Sequence, residues 1–148
     1  MITADTNVLV YLWDNYVPTK TSVAALAVSS LMERASLLGL QVIGETQNAL
    51  RRKLRQPPWQ AAQNARALLS AFDTFVASEA NVAESLTMMA AGRLSYWDAL
   101  LITAARDAGC RTLLSEDMQD GARFGDLEIL NPFGATGPSE RLNALLSA

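Results

Sequence analysis

The sequence predicts an α/β fold, with a small central parallel sheet of four to five strands covered by helices. Short apolar runs typical of buried strands alternate with longer segments whose apolar residues recur at helical spacing. Strands that are separated by helices pair in parallel, and the helices then cover the sheet. The 148 residues, of which 50% are hydrophobic, suffice for one domain with a full core.

In the first half of the chain, breaker residues divide the helical segments. Pro18 separates the first two helices, Gly39 is expected to end the second, and Pro57 and Pro58 separate the last two. The predicted strands cover residues 2–4 and 40–43, and the predicted helices cover residues 8–13, 21–38, 45–54 and 59–72.

In the second half, Gly92 and Gly109 are expected to end two helices. The predicted strands cover residues 75–76, 111–114 and 127–130, and the predicted helices cover residues 81–91, 95–108 and 139–146. A flexible link is expected to begin at Gly134. We therefore expect a main domain over residues 1–133, followed by a linker and a short C-terminal helix over residues 134–148.

The composition excludes several kinds of chemistry. The chain contains no histidine, which excludes Ser-His-Asp and Cys-His catalysis, His-ligated zinc and a histidine general base. Its single Cys110 has no partner for an internal disulfide and is expected to be buried. A net charge of −3 argues against nonspecific polyanion binding over the whole surface. No apolar stretch reaches the roughly 18 residues that span a bilayer, so we expect a soluble cytoplasmic protein without membrane contact.

Four acidic residues are candidates for a site at the carboxyl ends of the strands, where parallel α/β sheets bind ligands. Asp5 directly follows the first predicted strand, Glu45 comes two residues after the second, and Asp117 comes three residues after Leu114. Asp98 lies near the start of an otherwise apolar helix, where an uncompensated charge is costly.

Each of these acids also has a purely structural explanation. Asp5 can cap a helix, Glu45 can complement a helix dipole, and Asp117 lies in a turn-rich segment. Ser95 and Asp98 resemble a capping box, with Asp in place of the usual Glu or Gln.

Taken together, the four acids predict a cation site. Two unit charges about 6 Å apart repel by about 3 kcal/mol at an effective dielectric constant near 20, so an ionised cluster needs a cation. In a site without histidine or cysteine ligands, the suitable ion is Mg²⁺ or Mn²⁺. Such an ion accounts for the charge of Asp98 beside apolar surface.

Four segments, in this order, resemble the PIN-domain proteins of the VapC-like toxin group. They are Ala4-Asp5-Thr6-Asn7-Val8-Leu9, Val42-Ile43-Gly44-Glu45, Ser95-Tyr96-Trp97-Asp98-Ala99-Leu100 and Leu114-Ser115-Glu116-Asp117-Met118-Gln119-Asp120-Gly121. Asn131-Pro132-Phe133 resembles the ending of the family, so the likeness spans residues 1–133 and leaves the tail outside.

The resemblance implies a PIN-like nuclease domain, hence a metal-dependent ribonuclease that cleaves RNA. Such a protein is commonly the toxin of a toxin–antitoxin pair, held inactive by a cognate antitoxin, and often a homodimer. By position, the catalytic and metal-binding acids would be Asp5, Glu45, Asp98 and Asp117, holding Mg²⁺ or Mn²⁺. The residues that would orient ligands, substrate or water are Thr6, Asn7 and Ser115.

Several neighbouring residues keep two explanations. Glu116 and Asp120 flank Asp117, so the fourth acid stays open among the three, with Asp117 preferred. Trp97 and Tyr96 either stack on a base or pack in the core, and the apolar helix around Trp97 favours the core.

A basic segment follows Glu45 along its predicted helix. It consists of Arg51, Arg52, Lys53 and Arg55. These side chains either contact RNA phosphates or form a solvated helix face.

Two alternatives to the nuclease remain. The first is a catalytically inactive PIN-fold binding module. The second is a Mg²⁺-dependent phosphatase of the haloacid-dehalogenase type, which needs a second Asp two positions after Asp5, where this chain has Asn7. A receiver domain needs an acidic pair beside the first strand, and only Asp5 is present there.

Overall fold

The protein, described by a computed structural model over residues 1–148, is an α/β fold in which strands and helices alternate. The predicted fold class is confirmed. In chain order, the elements are β1 (Ile2–Ala4), α1 (Thr6–Val10), α2 (Pro18–Glu33), β2 (Leu37–Gly39), α3 (Leu40–Arg52), α4 (Pro58–Ala71), β3 (Asp73–Phe75), α5 (Glu79–Ala90), α6 (Tyr96–Asp107), β4 (Thr112–Leu114), β5 (Arg123–Phe124), β6 (Leu127–Leu130) and α7 (Glu140–Ser147).

Four strands form the central sheet in the order β1, β4, β6, β5. β1 pairs with β4 and β4 with β6 in parallel, so that Ala4 lies opposite Leu114 and Leu114 opposite Leu130. The carboxyl ends of these strands therefore meet at one edge, where Asp5 and Ser115 directly follow two of them. β2 and β3 pair in parallel as a separate two-stranded sheet.

The edge strand β5 is a feature that the sequence patterns do not predict. It pairs antiparallel with β6, with Phe124 opposite Leu127. The turn between them contains Gly125 at φ 62°, a left-handed conformation that glycine adopts without strain. Because only two residues of β5 pair, its alternation is too short to stand out in the sequence.

The predicted boundary between the second helix and the second strand is wrong. α2 ends at residue 33 rather than 38, because Ala35 adopts φ 49°. The N–H groups of Ala35 and Ser36 donate to the carbonyls of Met32 and Leu31 at 3.2 and 3.0 Å, which closes the helix as a Schellman motif. Glycine is usual at such a left-handed position, so an alanine there carries no stop signal. Gly39, the predicted stop, is instead the N-cap of α3.

Residues 40–43 were predicted as a strand, and this prediction is also wrong, because they begin α3. The buried residues of this helix are Val42, Ile43, Thr46 and Leu50, which recur at helical rather than strand spacing. Glu45 therefore lies within a helix and not two residues after a strand.

One large core lies between the central sheet and the helices. Leu9, Ile102, Leu113 and Ile129 are among its fully buried members. Cys110 belongs to the same core and is 2% exposed, which confirms its predicted burial. No helix of the structure combines the length and the apolar character that crossing a membrane requires.

The C-terminal helix α7 packs onto this core. Leu142 is fully buried within it. Arg34 Nη2 donates to the carbonyl of Leu146 at 2.9 Å, which ties α7 to the end of α2. The tail is thus joined to the rest of the chain by both apolar and polar contacts.

Candidate active site

Asp5 links the central sheet to α1. Its backbone N–H donates to the carbonyl of Leu114 at 2.8 Å, and its Oδ1 accepts from the Thr6 N–H at 2.7 Å as the N-cap of α1. Its Oδ2 accepts from Ser115 Oγ at 3.1 Å. The carboxylate, which is almost buried, therefore caps a helix with one oxygen and contacts the loop after β4 with the other.

Asn7 connects Asp5 with that loop. Its Nδ2 lies 3.1 Å from Asp5 Oδ2 and 3.2 Å from Asp117 Oδ2. Its Oδ1 accepts from the Glu116 N–H at 3.1 Å, which fixes the orientation of the amide. One amide group thus holds two mutually repelling carboxylates beside each other.

Helix α3 brings Glu45 to the same edge of the sheet. Glu45 Oε2 accepts from Thr6 Oγ1 at 2.9 Å, and Glu45 Oε1 accepts from Gln41 Nε2 at 2.7 Å. Gln41 stands one helical turn before Glu45, and its Nε2 also lies 3.4 Å from the carbonyl of Trp97 on α6. Side chains around Glu45 thereby join α1, α3 and α6.

Asp98 lies in the first turn of α6, where its side chain is half-buried. Its N–H donates to Ser95 Oγ at 3.2 Å, so Ser95 caps the helix. The Asp98 carboxylate does not complete a capping box in return. The structural explanation therefore accounts for Ser95 and leaves the Asp98 carboxylate beside the charges of Glu45 and Asp117.

The three acids after β4 differ in their partners. Glu116 forms an ion pair with Lys20 Nζ at 2.9 Å. Asp120 forms an ion pair with Arg141 of α7. Asp117 is exposed and has no cationic partner, which leaves it as the acid that is open to this edge of the sheet.

No cationic side chain neutralises Asp5, Glu45, Asp98 or Asp117, since every ion pair of the protein involves other carboxylates. Burial raises the pKa of Asp5 to about 6, hydrogen bonds from the Thr6 N–H and Ser115 lower it in part, and the charges of Asp98 and Glu45 raise it further. Burial is also the main cause that raises the pKa of Asp98; a hydrogen bond with the Ser95 side chain lowers it in part, and the charges of Glu45 and Asp117 raise it. The four acids form one coupled cluster of negative charge.

The chemistry of this donor set fits a hard divalent cation. All four acids offer carboxylate oxygens, and no histidine or cysteine competes with them. No three acidic side chains lie close enough together to coordinate one ion jointly in the positions they occupy. The raised pKa values of Asp5 and Asp98 reflect the free-energy cost of keeping these carboxylates ionised, and a cation between the acids would lower that cost.

The basic segment lies partly outside the helix of Glu45. Arg52 is the last residue of α3, Lys53 is its C-cap, and Arg55 lies beyond the helix at φ 55°. The prediction that the whole segment continues this helix is therefore wrong for Lys53 and Arg55. Arg52 follows Glu45 by seven residues, so it projects from the same helix face about 10 Å further along the axis. It is exposed, as is Arg51, and neither forms an ion pair.

Trp97 is exposed, and the prediction that it packs in the core is wrong. Its exposed fraction is 61%, whereas α6 buries every residue from Ala99 to Ala105. Trp97 precedes that buried stretch, because it lies in the first turn of the helix. The ring of Tyr96 meets it edge-on, with the ring centroids 4.9 Å apart.

Three residues that contact the acids are absent from the sequence-based candidates. Gln41 stands four residues before Glu45, a helical spacing that the strand predicted over residues 40–43 concealed. Lys20 and Arg141 pair with acids that are far away in sequence, so no local pattern points to them.

The family model described as PIN domain matches residues 2–121. A search of curated proteins gives no significant match. Among solved structures, the chain is similar to VapC20 of Mycobacterium tuberculosis, a Sarcin-Ricin loop cleaving toxin, with a TM-score of 0.64 and 18% identity over 79% of this chain and 90% of that one.

A second similar structure is VapBC2 from Rickettsia felis bound to a DNA fragment from their promoter. Here the TM-score is 0.62 and the identity 16%, over 87% of this chain and 97% of that one. At these identities the likeness concerns the fold.

Proposed function

Because the chain belongs to the PIN domain family, we propose that it is a metal-dependent ribonuclease that hydrolyses RNA phosphodiester bonds. The observation that carries the proposal is the cluster of Asp5, Glu45, Asp98 and Asp117 at one sheet edge, without any cationic partner. Because the chain has no histidine, the acids rather than an imidazole must support the chemistry.

Asp5, Glu45, Asp98 and Asp117 would hold one or two Mg²⁺ or Mn²⁺ ions. When bound, such ions would supply the positive charge that neutralises the phosphodiester and favours attack by water on the phosphorus atom. The bond to the 3′ oxygen breaks, so the products are a 3′-hydroxyl and a 5′-phosphate.

The remaining residues of the site position the acids. Asn7 holds Asp5 and Asp117 side by side, and Ser115 donates to the oxygen of Asp5 that Asn7 also contacts. Thr6 and Gln41 each donate to a different oxygen of Glu45, which fixes the plane of its carboxylate.

The exposed arginines of the basic segment provide the counter-charge that an RNA backbone needs. Arg52 lies on the helix face of Glu45, and Arg51 and Arg55 are also exposed and free of ion pairs. Phosphate contacts by such side chains position a nucleic acid without reading its sequence. These residues are the proposed substrate-binding residues outside the acidic cluster.

We also propose that the protein is the toxin of a toxin–antitoxin pair, inhibited by a cognate antitoxin, that it forms a homodimer and that it acts in the cytoplasm. The proposal is supported by the fold that the chain shares with VapC20 and VapBC2. Residues 1–133 would form the nuclease domain. The contacts of α7 suggest that residues 134–148 stabilise it rather than act as a separate unit.

The experiment for the ribonuclease uses labelled single-stranded RNA with purified protein in Mg²⁺, Mn²⁺ or EDTA. Cleavage is expected only with a divalent ion, and Asp98→Asn should abolish it. Asp73→Asn is the matched control, because Asp73 is exposed and begins β3 of the separate two-stranded sheet, which carries none of the four acids. Cleavage in EDTA, or equal cleavage by Asp98→Asn, would contradict the mechanism. No cleavage of any RNA would favour the binding module.

The experiment for the toxin is independent of the first. A small gene next to this one should encode a DNA-binding protein that forms a stable complex with the chain and suppresses its cleavage of RNA. A complex that leaves cleavage unchanged would contradict inhibition while leaving the nuclease intact. Light scattering on the purified chain measures whether it is a dimer.

A further inference from the structure

Trp97 combines exposure with a fixed position. Its side chain is 61% exposed, although α6, to whose first turn it belongs, is buried from Ala99 to Ala105. Large aromatic side chains carry much of the binding energy of recognition surfaces when a partner covers them. The indole therefore requires an explanation beyond packing within the chain.

The backbone of Trp97 is tied to the acidic cluster on both sides. Asp98 is the next residue, and the Trp97 carbonyl lies 3.4 Å from Gln41 Nε2, which also donates to Glu45 at 2.7 Å. The ring of Tyr96 braces the indole edge-on, at an interplanar angle of 78°. Trp97 thus presents an exposed aromatic ring, packed against Tyr96, from a backbone position that contacts the proposed catalytic site.

We propose that Trp97 is a stacking platform for an unpaired nucleobase of the RNA substrate, next to the phosphodiester that is cleaved. This inference rests on the proposed ribonuclease function and adds that the substrate is single-stranded at the site. Aromatic rings bind unpaired bases by stacking, whereas bases within a duplex are already stacked on their neighbours. A neutral ring also binds the substrate without adding charge beside the acids.

The binding experiment is done in Ca²⁺ with a short single-stranded RNA and with a fully paired RNA duplex of the same composition. Trp97→Ala is expected to weaken binding of the single strand roughly 10-fold or more, while Trp97→Tyr retains most of it. The duplex should bind weakly to all variants. Trp59→Ala is the matched control, because Trp59 is 69% exposed on α4, which carries none of the four acids, and should change binding less than 2-fold.

Fluorescence gives a second measurement of the same contact. The chain has three tryptophans, so Trp59→Phe leaves the signals of Trp13 and Trp97. Single-stranded RNA should quench this variant, and the quenching should disappear when Trp97→Tyr is added. Thermal unfolding of Trp97→Ala should match that of the wild type, because the ring is exposed.

The outcomes separate the two proposals. Trp97-dependent binding without cleavage in Mg²⁺ or Mn²⁺ would support the platform and contradict the ribonuclease. If the wild type cleaves RNA but Trp97→Ala binds it as tightly as the wild type, the ribonuclease is supported and the platform is contradicted. If Trp97→Ala weakens binding only by converting a dimer to a monomer in light scattering, the ring belongs to a contact between two copies of the chain and the platform is overturned.

Discussion

The amide of Asn7 lies 3.2 Å from the carboxylate of Asp117, across 110 residues of sequence. The same nitrogen lies 3.1 Å from Asp5 Oδ2, so a neutral donor screens two acids that no cation neutralises. The relative position of these acids depends on this one side chain.

Removing that amide should lower both stability and ion binding. Asn7→Ala deletes the donor to Asp5 and Asp117 and leaves the Glu116 N–H without its acceptor. We expect the free energy of unfolding to fall by about 1–3 kcal/mol and Mn²⁺ binding, measured by calorimetry, to weaken. Asn143→Ala, at an exposed position of α7, is the control and should change stability by less than about 0.5 kcal/mol. Unchanged Mn²⁺ affinity in Asn7→Ala would show that the amide does not position the acids.

Asp98→Asn should separate catalysis from folding. The carboxylate caps no helix, and burial together with neighbouring acids raises its pKa, so its charge disfavours the folded state. We expect cleavage to be lost and the free energy of unfolding in EDTA to be equal or higher. Saturating Mn²⁺ should raise the Tm of the wild type by several degrees, since an ion at 100 times its Kd adds about 2.7 kcal/mol, and should raise the Tm of the variant much less. If Asp98→Asn strongly lowers the free energy of unfolding, the Asp98 carboxylate stabilises the fold, and the prediction is contradicted.

The raised pKa of Asp5 predicts a pH dependence in the absence of metal. Its folded-state pKa of about 6 lies above the ordinary value of 3.8, so the folded protein holds this proton more tightly than the unfolded chain. The stability that this proton contributes is fully present below about pH 4 and is lost as the pH rises through 6.

The variant Asp5→Asn, which cannot titrate, isolates this contribution. Between pH 4.5 and 7.5, the wild type should lose about 2 kcal/mol relative to Asp5→Asn in urea denaturation with EDTA. Ion pairs such as Glu84 with Arg106 titrate in the opposite sense but cancel in this difference. A difference that does not vary with pH would place the Asp5 pKa near its ordinary value.

The Schellman motif at Ala35 predicts a stabilising substitution. An alanine at φ 49° is strained, and glycine is not, so Ala35→Gly should raise the free energy of unfolding by about 1 kcal/mol. Ala25→Gly, on the exposed face of α2, is the opposite case and should lower it by a similar amount. Equal effects of the two glycines in urea denaturation would contradict the strain at Ala35.

The buried side chain of α7 predicts that the tail stabilises the whole chain. Leu142→Ala removes a fully buried side chain and should cost about 2–5 kcal/mol. Leu69→Ala, on a leucine that is 49% exposed, should cost less than about 1 kcal/mol. If Leu142→Ala unfolds at the same urea concentration as the wild type, α7 is a separate appendage.

The sequence predicts the α/β class and most elements because their signals are local. Glycines and prolines end helices, and apolar runs mark strands, as at β6, where the predicted bounds match the structure. Prediction fails where the residue type does not reveal the backbone conformation. Ala35 adopts the left-handed conformation that glycine usually takes at a helix end, and the β-branched residues at the start of α3 resemble a strand.

In the candidate site, too, some residues can be predicted from the sequence and others cannot. The acids and Asn7 could be chosen because their chemistry and spacing are visible in the sequence. Lys20, Gln41 and Arg141, which bind acidic side chains of this region, could not be chosen from the sequence, because only the tertiary structure brings Lys20 and Arg141 to their acids and only the helix of α3 brings Gln41 to Glu45. The exposure of Trp97 depends on which turn of α6 faces the core, and a continuous apolar run does not reveal this.

The two oxygens of Asp5 have a consequence for how such a chain can diverge. One caps α1 and the other faces the acidic cluster, whereas the Asp98 carboxylate lies beside the charges of Glu45 and Asp117 and caps no helix. In a lineage that no longer needs hydrolysis, selection for folding would still retain Asp5 while Asp98 becomes free to drift. A homologue that keeps Asp5 but has lost Asp98 should therefore be read as a folded, inactive descendant, and Asp5 alone should not be taken as a sign of activity.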